Sequence, residues 1–302
     1  MPFTFHSHSG QFCRHAKGTL EEVVKEAIAK NLLVLGLSEH VPRSRAQDLY
    51  PEEADLTTNE LHRLFQEYVE EARRLREKYA DQLEILIGAE TEYITDDSLK
   101  EMGHLRKKYE LDYLVGSIHH IDGIPLDFSQ DMYEQIVQNC GNDRSEMFRR
   151  YFDSQLTMLR KLQPEIVGHF DLVRIFHPYK QGVDDPLLTK EIRQLASRNI
   201  DYAISYGAIF EINSRAWKKG LRDAYPQRDL LQEILQKGGR VTISDDSHGK
   251  EDLCMHYDLL LAYLREMGVT SLHYLQKTGG VIQTRVLEHA TEHGFWVAGG
   301  FR

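Results

Sequence analysis

His6, His8 and His15 place three imidazoles within ten residues of one another. In an extended strand, residues two apart point to the same side. Within Phe3-Thr4-Phe5-His6-Ser7-His8 the two histidines therefore project together. His15 follows a turn opened by Ser9-Gly10, close enough to fold back onto them. Neutral imidazole is a common ligand of zinc-, iron- and manganese-type ions. The stretch thus reads as part of a divalent-metal site; a tag remnant would be a run of consecutive histidines.

Other ligand-type residues recur at a consistent position, the C-terminal end of an apolar run. His40 ends Leu32–Leu37, Glu90 ends Leu83–Gly88, and His119 ends Asp112–Ile118. His169 follows Ile166-Val167-Gly168, and Asp246 with His248 follows Arg240–Ile243. A sixth run, Ala208–Ile212, ends at Asn213 and is expected to bring no histidine or carboxylate. Some neighbours are set aside. His120 and Asp245 would face away from His119 and Asp246 by strand alternation. Glu39 is expected to orient His40. Cys13 lies among the ligands but has no cysteine partner, and is not counted as one. Arg14, Arg43, Arg45, Arg174, Arg215 and Lys180 fall near these run ends. Arg174 and Arg43 are taken as the substrate-binding candidates, since a guanidinium fork matches phosphate oxygens.

The elements that must position these residues alternate in type. Thr19-Leu20-Glu21-Glu22 and Thr57-Thr58-Asn59-Glu60 are capping boxes that open helices. Apolar residues at helical spacing follow each: Leu20, Val23, Val24, Ala27 and Ile28, then Leu61, Leu64, Phe65, Tyr68, Ala72, Leu75 and Tyr79. Further helices are predicted near Ser98–Tyr109, Ser145–Leu162, Leu187–Tyr206, after Pro226, and over Leu253–Met267. Seven strand-like runs separated mostly by helices imply a parallel sheet covered by helices, either a β/α barrel or a doubly wound sheet. In a barrel all the strand C-termini meet on one face, where the loops build the active site. Between the first two of these strand–helix units, Val41–Leu56 is a long loop of the kind that is often functional. The last thirty or so residues, with Val281-Ile282 and Trp296-Val297, show no assignable element.

Eight or so ligands exceed the four of a single zinc site. The number fits two or three ions bridged by a carboxylate, for which Glu90 is the candidate. Ions ~3.5–4 Å apart can activate a shared water and clamp both oxygens of a displacement, which is phosphoester hydrolysis. Glu90, Asp246 and His248 are the catalytic candidates, and Asp171 and Asp246 are considered for protonating the leaving alkoxide.

Composition narrows the class. A net charge of −10 disfavours a nucleic-acid backbone as partner. No run of ~18 apolar residues reads as a membrane span, and the N-terminus enters a strand pattern at once rather than a signal peptide. The three cysteines form no C-x-x-C pair, against a disulfide framework or a zinc knuckle. A reducing, cytoplasmic setting is expected. No G-x-G-x-x-G or P-loop lysine motif supports a nucleotide cofactor. No linker divides residues 1–302, which read as a single domain, and nothing in the pattern specifies an oligomeric state.

These motifs, in this order, resemble the polymerase-and-histidinol-phosphatase (PHP) family of metal-dependent phosphoesterases. His6-Ser7-His8, Leu37-Ser38-Glu39-His40, Gly88-Ala89-Glu90, Gly116-Ser117-Ile118-His119, Gly168-His169 and Ser244 to His248 carry the resemblance, which spans almost the whole chain. The stretches Gly116–Phe128 and Val167–Leu172 are most similar to the fungal-type histidinol-phosphatases of that family. The resemblance implies an α/β fold, a distorted (β/α)7 TIM-like barrel. It implies three divalent metal ions per chain, zinc foremost, with iron or manganese as alternatives. It implies hydrolysis of L-histidinol phosphate, a small-molecule phosphate monoester, in histidine biosynthesis. Carried over, one ion would take His6, His8, Glu90 and Asp246, a second His15, His40 and His248, and a third Glu90, His119 and His169. The alternatives kept open are another small phosphate or a nucleotide as substrate, a nuclease, a mononuclear deaminase, and a non-catalytic metal-binding protein.

Overall fold

The computed structural model describes residues 3–176 and 189–301. Its centre is a parallel sheet of seven strands laid out in chain order. They are β1 (Phe3–Thr4), β2 (Val34–Leu37), β3 (Glu84–Glu90), β4 (Tyr113–Gly116), β5 (Ile166–Val167), β6 (Ile209–Asn213) and β7 (Arg240–Ser244). Almost every residue in them is buried on both faces. That explains why the runs read as continuously apolar rather than alternating. Each predicted run corresponds to one of these strands.

The sheet curls until its first and last strands are neighbours. Closure is completed by two short extensions of those strands. Ser7–His8 pairs in parallel with Ser247–His248, residue for residue. The seam of the barrel is therefore built from two stretches that carry candidate ligands. Across the interior, the Tyr113 hydroxyl lies 2.9 Å from the Phe5 carbonyl and 3.1 Å from that of Leu37. It occupies space that only Gly36 and Gly88 leave free: a Cβ on either would fall within 2.5 Å of the Tyr113 side chain.

Helices cover the outside. The two capping boxes form as expected and open α1 (Leu20–Ala29) and α2 (Thr58–Lys78). Next come α3 (Asp96–Lys108), α4 (Gln130–Asn139), α5 (Arg144–Leu162) and α6 (Lys190–Ser205). The short α7 (Arg215–Lys218) precedes α8 (Arg228–Gln236) and α9 (Tyr257–Glu266). Among the described residues no helix is long and apolar enough to cross a membrane.

Besides the short α7, helix α4 and a C-terminal hairpin were not anticipated. Helix α4 is capped by the Ser129 side chain, which accepts from Met132 N–H. Near the C-terminus, β8 (Leu272–Thr278) and β9 (Val281–Leu287) form an antiparallel hairpin through Gly279-Gly280. Both glycines have positive φ, the backbone a tight two-residue turn demands. The hairpin lies at the strand N-termini, away from the ligand-bearing ends. Tyr274 stacks on Phe3, and Lys277 donates from its backbone to Glu84 and from Nζ to Asp112.

Candidate metal centre

Glu90 ends β3 and stands at the centre of the candidate ligands. Five ring nitrogens surround its carboxylate: His6 Nε2 at 3.0 Å, His8 Nε2 at 3.3 Å, His40 Nδ1 at 3.1 Å, His119 Nε2 at 3.1 Å and His169 Nε2 at 3.0 Å. Those histidines come from four different strand ends. Strand pairing sets the arrangement: His40 and Glu90 are bridge partners across β2 and β3. Asp246 closes the group from β7, its Oδ1 lying 3.5 Å from both His6 Nε2 and His8 Nε2. Its backbone has φ +46°, so a turn, not strand alternation, aims it inward. His15 and His248 complete a neighbouring set with His40, and Cys13 joins them, with one donor atom of each within 4.8 Å of the others. All nine expected ligands thus occupy one region of the strand C-terminal face.

A ring of further carboxylates supports the histidines. Glu211 lies beneath the cluster on β6, with Oε2 3.0 Å from His6 Nδ1. It also accepts from the His169 backbone, Asn213 and Ser244. The expectation that the sixth strand brings no carboxylate is therefore corrected. The residue two before its end, Glu211, shares a face with Asn213 and points inward. Glu92, two residues beyond Glu90, lies 2.9 Å from His40 Nδ1 and 3.3 Å from His119 Nδ1. Glu52, from the Val41–Leu56 loop, lies 2.6 Å from His15 Nδ1. Glu39 sits beside His8, at 3.5 Å, rather than orienting His40 as expected.

Charges in this cluster balance in an unusual way for buried groups. Burial alone would raise the Glu90 carboxyl, but the imidazoles of His6, His119 and His40 override it and hold it well below the usual carboxylate range. Burial likewise opposes charge on His6, His8 and His119. The adjoining carboxylates outweigh it and hold all three above the ordinary histidine value. His40, by contrast, is lowered to about 4 by burial and by His8. The site thus demands positive charge at its centre. Several buried polar atoms also have no hydrogen-bond partner: His6 Nε2, both ring nitrogens of His8 and of His40, and Asp246 Oδ1. Buried donors and acceptors are rarely left so. Unpaired imidazoles packed around acidic oxygens are a donor set that fits divalent ions.

A cavity of about 340 Å³ opens over the cluster. Asp127, Phe128, Tyr225, Arg215 and Lys219 line its walls beyond the ligands. Arg43 and Arg174 do not line it, which corrects their expected role. Arg43 is buried against Glu53 and over the Tyr50 ring. Arg174 is fully buried and pairs with Asp171 and Asp229. Asp171, considered as a proton donor, is held behind the wall by Arg174 and the Gln227 N–H. Arg14 and Arg45 pair with Asp55 and Asp48. Lys180 lies outside the described residues. The cation that does reach the cavity and the ligands is Arg215, whose Nη1 donates to the Asp246 carbonyl at 2.8 Å. His120 lies closer to the cluster than strand alternation predicts, its Nδ1 3.4 Å from Glu92, the carboxylate that also faces His40 and His119. His120 packs on Tyr50, and Asp245 accepts from the Cys254 and Ser247 backbones.

Known proteins share the family and the fold of this chain. The PHP domain family model matches residues 4–215. A probable histidinol-phosphatase of Schizosaccharomyces pombe is 45% identical over 296 residues, covering 98% of this chain and 96% of that protein. The histidinol-phosphatase of Saccharomyces cerevisiae is 31% identical, covering 89% of each chain. A solved structure of a histidinol phosphate phosphatase from Lactococcus lactis, complexed with zinc, L-histidinol and phosphate, shares the fold with a TM-score of 0.67. It is 20% identical and covers 93% of this chain and 98% of its own. A putative histidinol phosphatase from Listeria monocytogenes gives a TM-score of 0.73 at 22% identity, over 85% of this chain and 99% of that one. With its family model matched over most of the chain and its histidines gathered around Glu90, this protein belongs to the PHP domain family.

Proposed function

We propose that this chain is a cytoplasmic histidinol-phosphatase, a single PHP-type domain over residues 1–302 that hydrolyses L-histidinol phosphate to L-histidinol and phosphate in histidine biosynthesis. The observation that carries the reading is the set of imidazoles around the Glu90 carboxylate, joined by Asp246 at 3.5 Å from two of them. The names of the relatives, at 45% and 31% identity, supply the substrate.

Three divalent ions, zinc foremost, would be held by His6, His8, Glu90 and Asp246, by His15, His40 and His248, and by Glu90, His119 and His169. Bound there, such ions activate water and neutralise phosphoryl oxygens. The chain's own groups do the rest. Arg215 and Lys219 offer positive charge on the cavity wall for a phosphate dianion. Asp127 lines the same cavity and makes no ion pair among the described residues, so its carboxylate is available to the substrate's ammonium group. Phe128 and Tyr225 give flat apolar surface for an imidazole. One pocket thus offers complementary groups to each end of a zwitterionic amino-alcohol phosphate.

The test is phosphate release from L-histidinol phosphate by purified protein, with bound metal counted on the same sample. Turnover with about three ions per chain, lost with a chelator and restored by zinc or manganese, is the expected result. Full loading without turnover of this ester, alongside turnover of nucleotides or other small phosphates, overturns the substrate assignment.

A further inference from the structure

We infer that Cys13 is the fourth protein ligand of the ion held by His15, His40 and His248, so that one position of the cluster is a sulfur-bearing, zinc-selective site. The inference rests on the proposed metal cluster and extends it with a residue that none of the expected ligand sets contains.

The geometry is local and specific. The loop after the Ser7–His8 extension turns back on itself, with Cys13 N–H donating to the Ser9 carbonyl at 2.9 Å. That turn buries the Cys13 side chain against His15, with Sγ 3.2 Å from Nε2. Four donor atoms, one each from Cys13, His15, His40 and His248, lie within 4.8 Å of one another. Ligands at ~2.0–2.3 Å around a tetrahedral zinc stand about 3.3–3.7 Å apart, so the donors would draw together by up to about 1–1.5 Å to enclose an ion.

Two of the three imidazoles in this group are already oriented through their other nitrogen. His15 Nδ1 lies 2.6 Å from Glu52, and His248 Nδ1 lies 2.9 Å from the Asp246 carbonyl. His40 Nδ1 lies 2.9 Å from Glu92 and 3.1 Å from Glu90, without hydrogen-bond geometry to either. His15 and His248 therefore leave Nε2 for the shared space, and the buried Nε2 of His40 has no hydrogen-bond partner. Fixing one ring nitrogen on a carboxylate or carbonyl is the usual preparation of a histidine for metal. The other two cysteines have no such surroundings: neither Cys140 nor Cys254 belongs to a group of metal-type ligands among the described residues.

A thiolate in this position has two consequences. The thiol releases its proton to solvent as the sulfur–metal bond forms. A soft sulfur donor favours zinc over manganese, whereas the positions built on Glu90 and Asp246 have only nitrogen and oxygen. One ion of the three is then chemically distinct.

Cobalt loading of the full chain reads this directly, because a thiolate bound to cobalt(II) gives an intense near-ultraviolet charge-transfer band that imidazole and carboxylate ligands do not. The expected result is that band in the wild-type protein and in Cys140→Ser and Cys254→Ser, and its loss in Cys13→Ser. Zinc X-ray absorption on the wild-type protein serves if Cys13→Ser fails to fold, with a sulfur scatterer at about 2.3 Å expected. In competition, Cys13→Ser should lose zinc preference over manganese by ~10-fold or more at one position. Cobalt-loaded wild-type protein without the band, or a band that survives in Cys13→Ser, overturns the inference while leaving the phosphatase reading intact. A chain that loads no ion at all overturns the metal cluster itself.

Discussion

Glu211 and His6 form a buried pair, Oε2 to Nδ1 at 3.0 Å, on the opposite side of the imidazole from Glu90, which lies 3.0 Å from Nε2. The ring is held between two carboxylates that have different work. Glu211, bonded also to Ser244 Oγ at 2.7 Å, fixes the ring and its tautomer, with the proton on Nδ1 and Nε2 presented to the centre. Glu211→Gln keeps the shape but turns an acceptor into a donor. The amide would donate to Nδ1 and drive the proton onto Nε2, where an ion should bind. We expect metal affinity at that position to fall about 10- to 100-fold, with turnover falling alongside, while the fold persists. Metal content after dialysis against a graded chelator measures it; wild-type retention of metal would remove Glu211 from the positioning role.

Asp127 tests recognition of the cationic end of the substrate. Its carboxylate lines the cavity without an ion-pair partner among the described residues. Asp127→Asn should raise KM for L-histidinol phosphate about 10- to 100-fold, the worth of a hydrogen bond to a charged group, with kcat little changed. Hydrolysis of a phosphate ester lacking an amino group should be unaffected. Equal losses on both esters would place Asp127 in the chemistry instead.

Much of this was readable in the residues, and the failures have physical causes. The apolar runs and the two capping boxes located the barrel and its first helices because those signals are local. Ligands at run ends were legible because a parallel barrel must gather its strand C-termini. Helix α4 was also readable, since Ser129 precedes Tyr133, Ile136 and Val137 at helical spacing, as was the Gly279-Gly280 hairpin. The arginines were not. Arg43 finds Glu53 in its own loop, and Arg174 finds Asp229 on α8, partners that strand order does not reveal. Cys13 has no second cysteine to pair with, and its neighbours are His15 from its own loop and His40 and His248 from distant strand ends. Asp246 was placed inward by alternation and reaches the site through a left-handed turn instead.

Arg215 is the cation that reaches both the cavity and the ligand cluster, bonded to the Asp246 carbonyl at 2.8 Å and to Asp252 at 3.2 Å. Arg215→Lys keeps the charge but loses the planar fork that can hold those acceptors and a phosphoryl oxygen together. Losing one such donor should lower kcat by roughly 10²-fold. Metal content should stay at the wild-type value, which separates this effect from damage to the cluster. A kcat within twofold of wild type would assign the phosphate contact to Lys219 alone.

Gly88 tests the packing that sets the spacing of the barrel. A Cβ there would meet a ring carbon of Tyr113 at 2.5 Å, and the Gly88 carbonyl accepts from the Tyr68 hydroxyl at 2.8 Å. Backbone and ring are both enclosed, so neither can yield freely. Gly88→Ala should destabilise the protein by about 1–3 kcal/mol, read from denaturant midpoints on metal-loaded samples. Because Gly88 lies two residues before Glu90 on β3, metal retention should weaken as well. An unshifted midpoint would mean that Tyr113 moves aside.

Proton release on metal binding follows from the charges in the cluster. In the absence of ions the carboxylates hold His6, His8 and His119 above the ordinary histidine value, and His15 is raised to about 10 by Cys13 and Glu52 against its burial. A raised pKa means that the proton is still bound at neutral pH, so an incoming ion must displace it. Affinity for metal should therefore rise with pH through the neutral range and fall steadily toward acid, as each lost unit strengthens the competing protons. Activity lost at low pH should return when the metal concentration is increased, since protons and ions compete for the same nitrogens. Calorimetric titration with zinc in buffers of different ionisation enthalpy measures the protons released. A binding enthalpy independent of the buffer would mean that the histidines are already neutral and that the acidic ring around them is balanced in some other way.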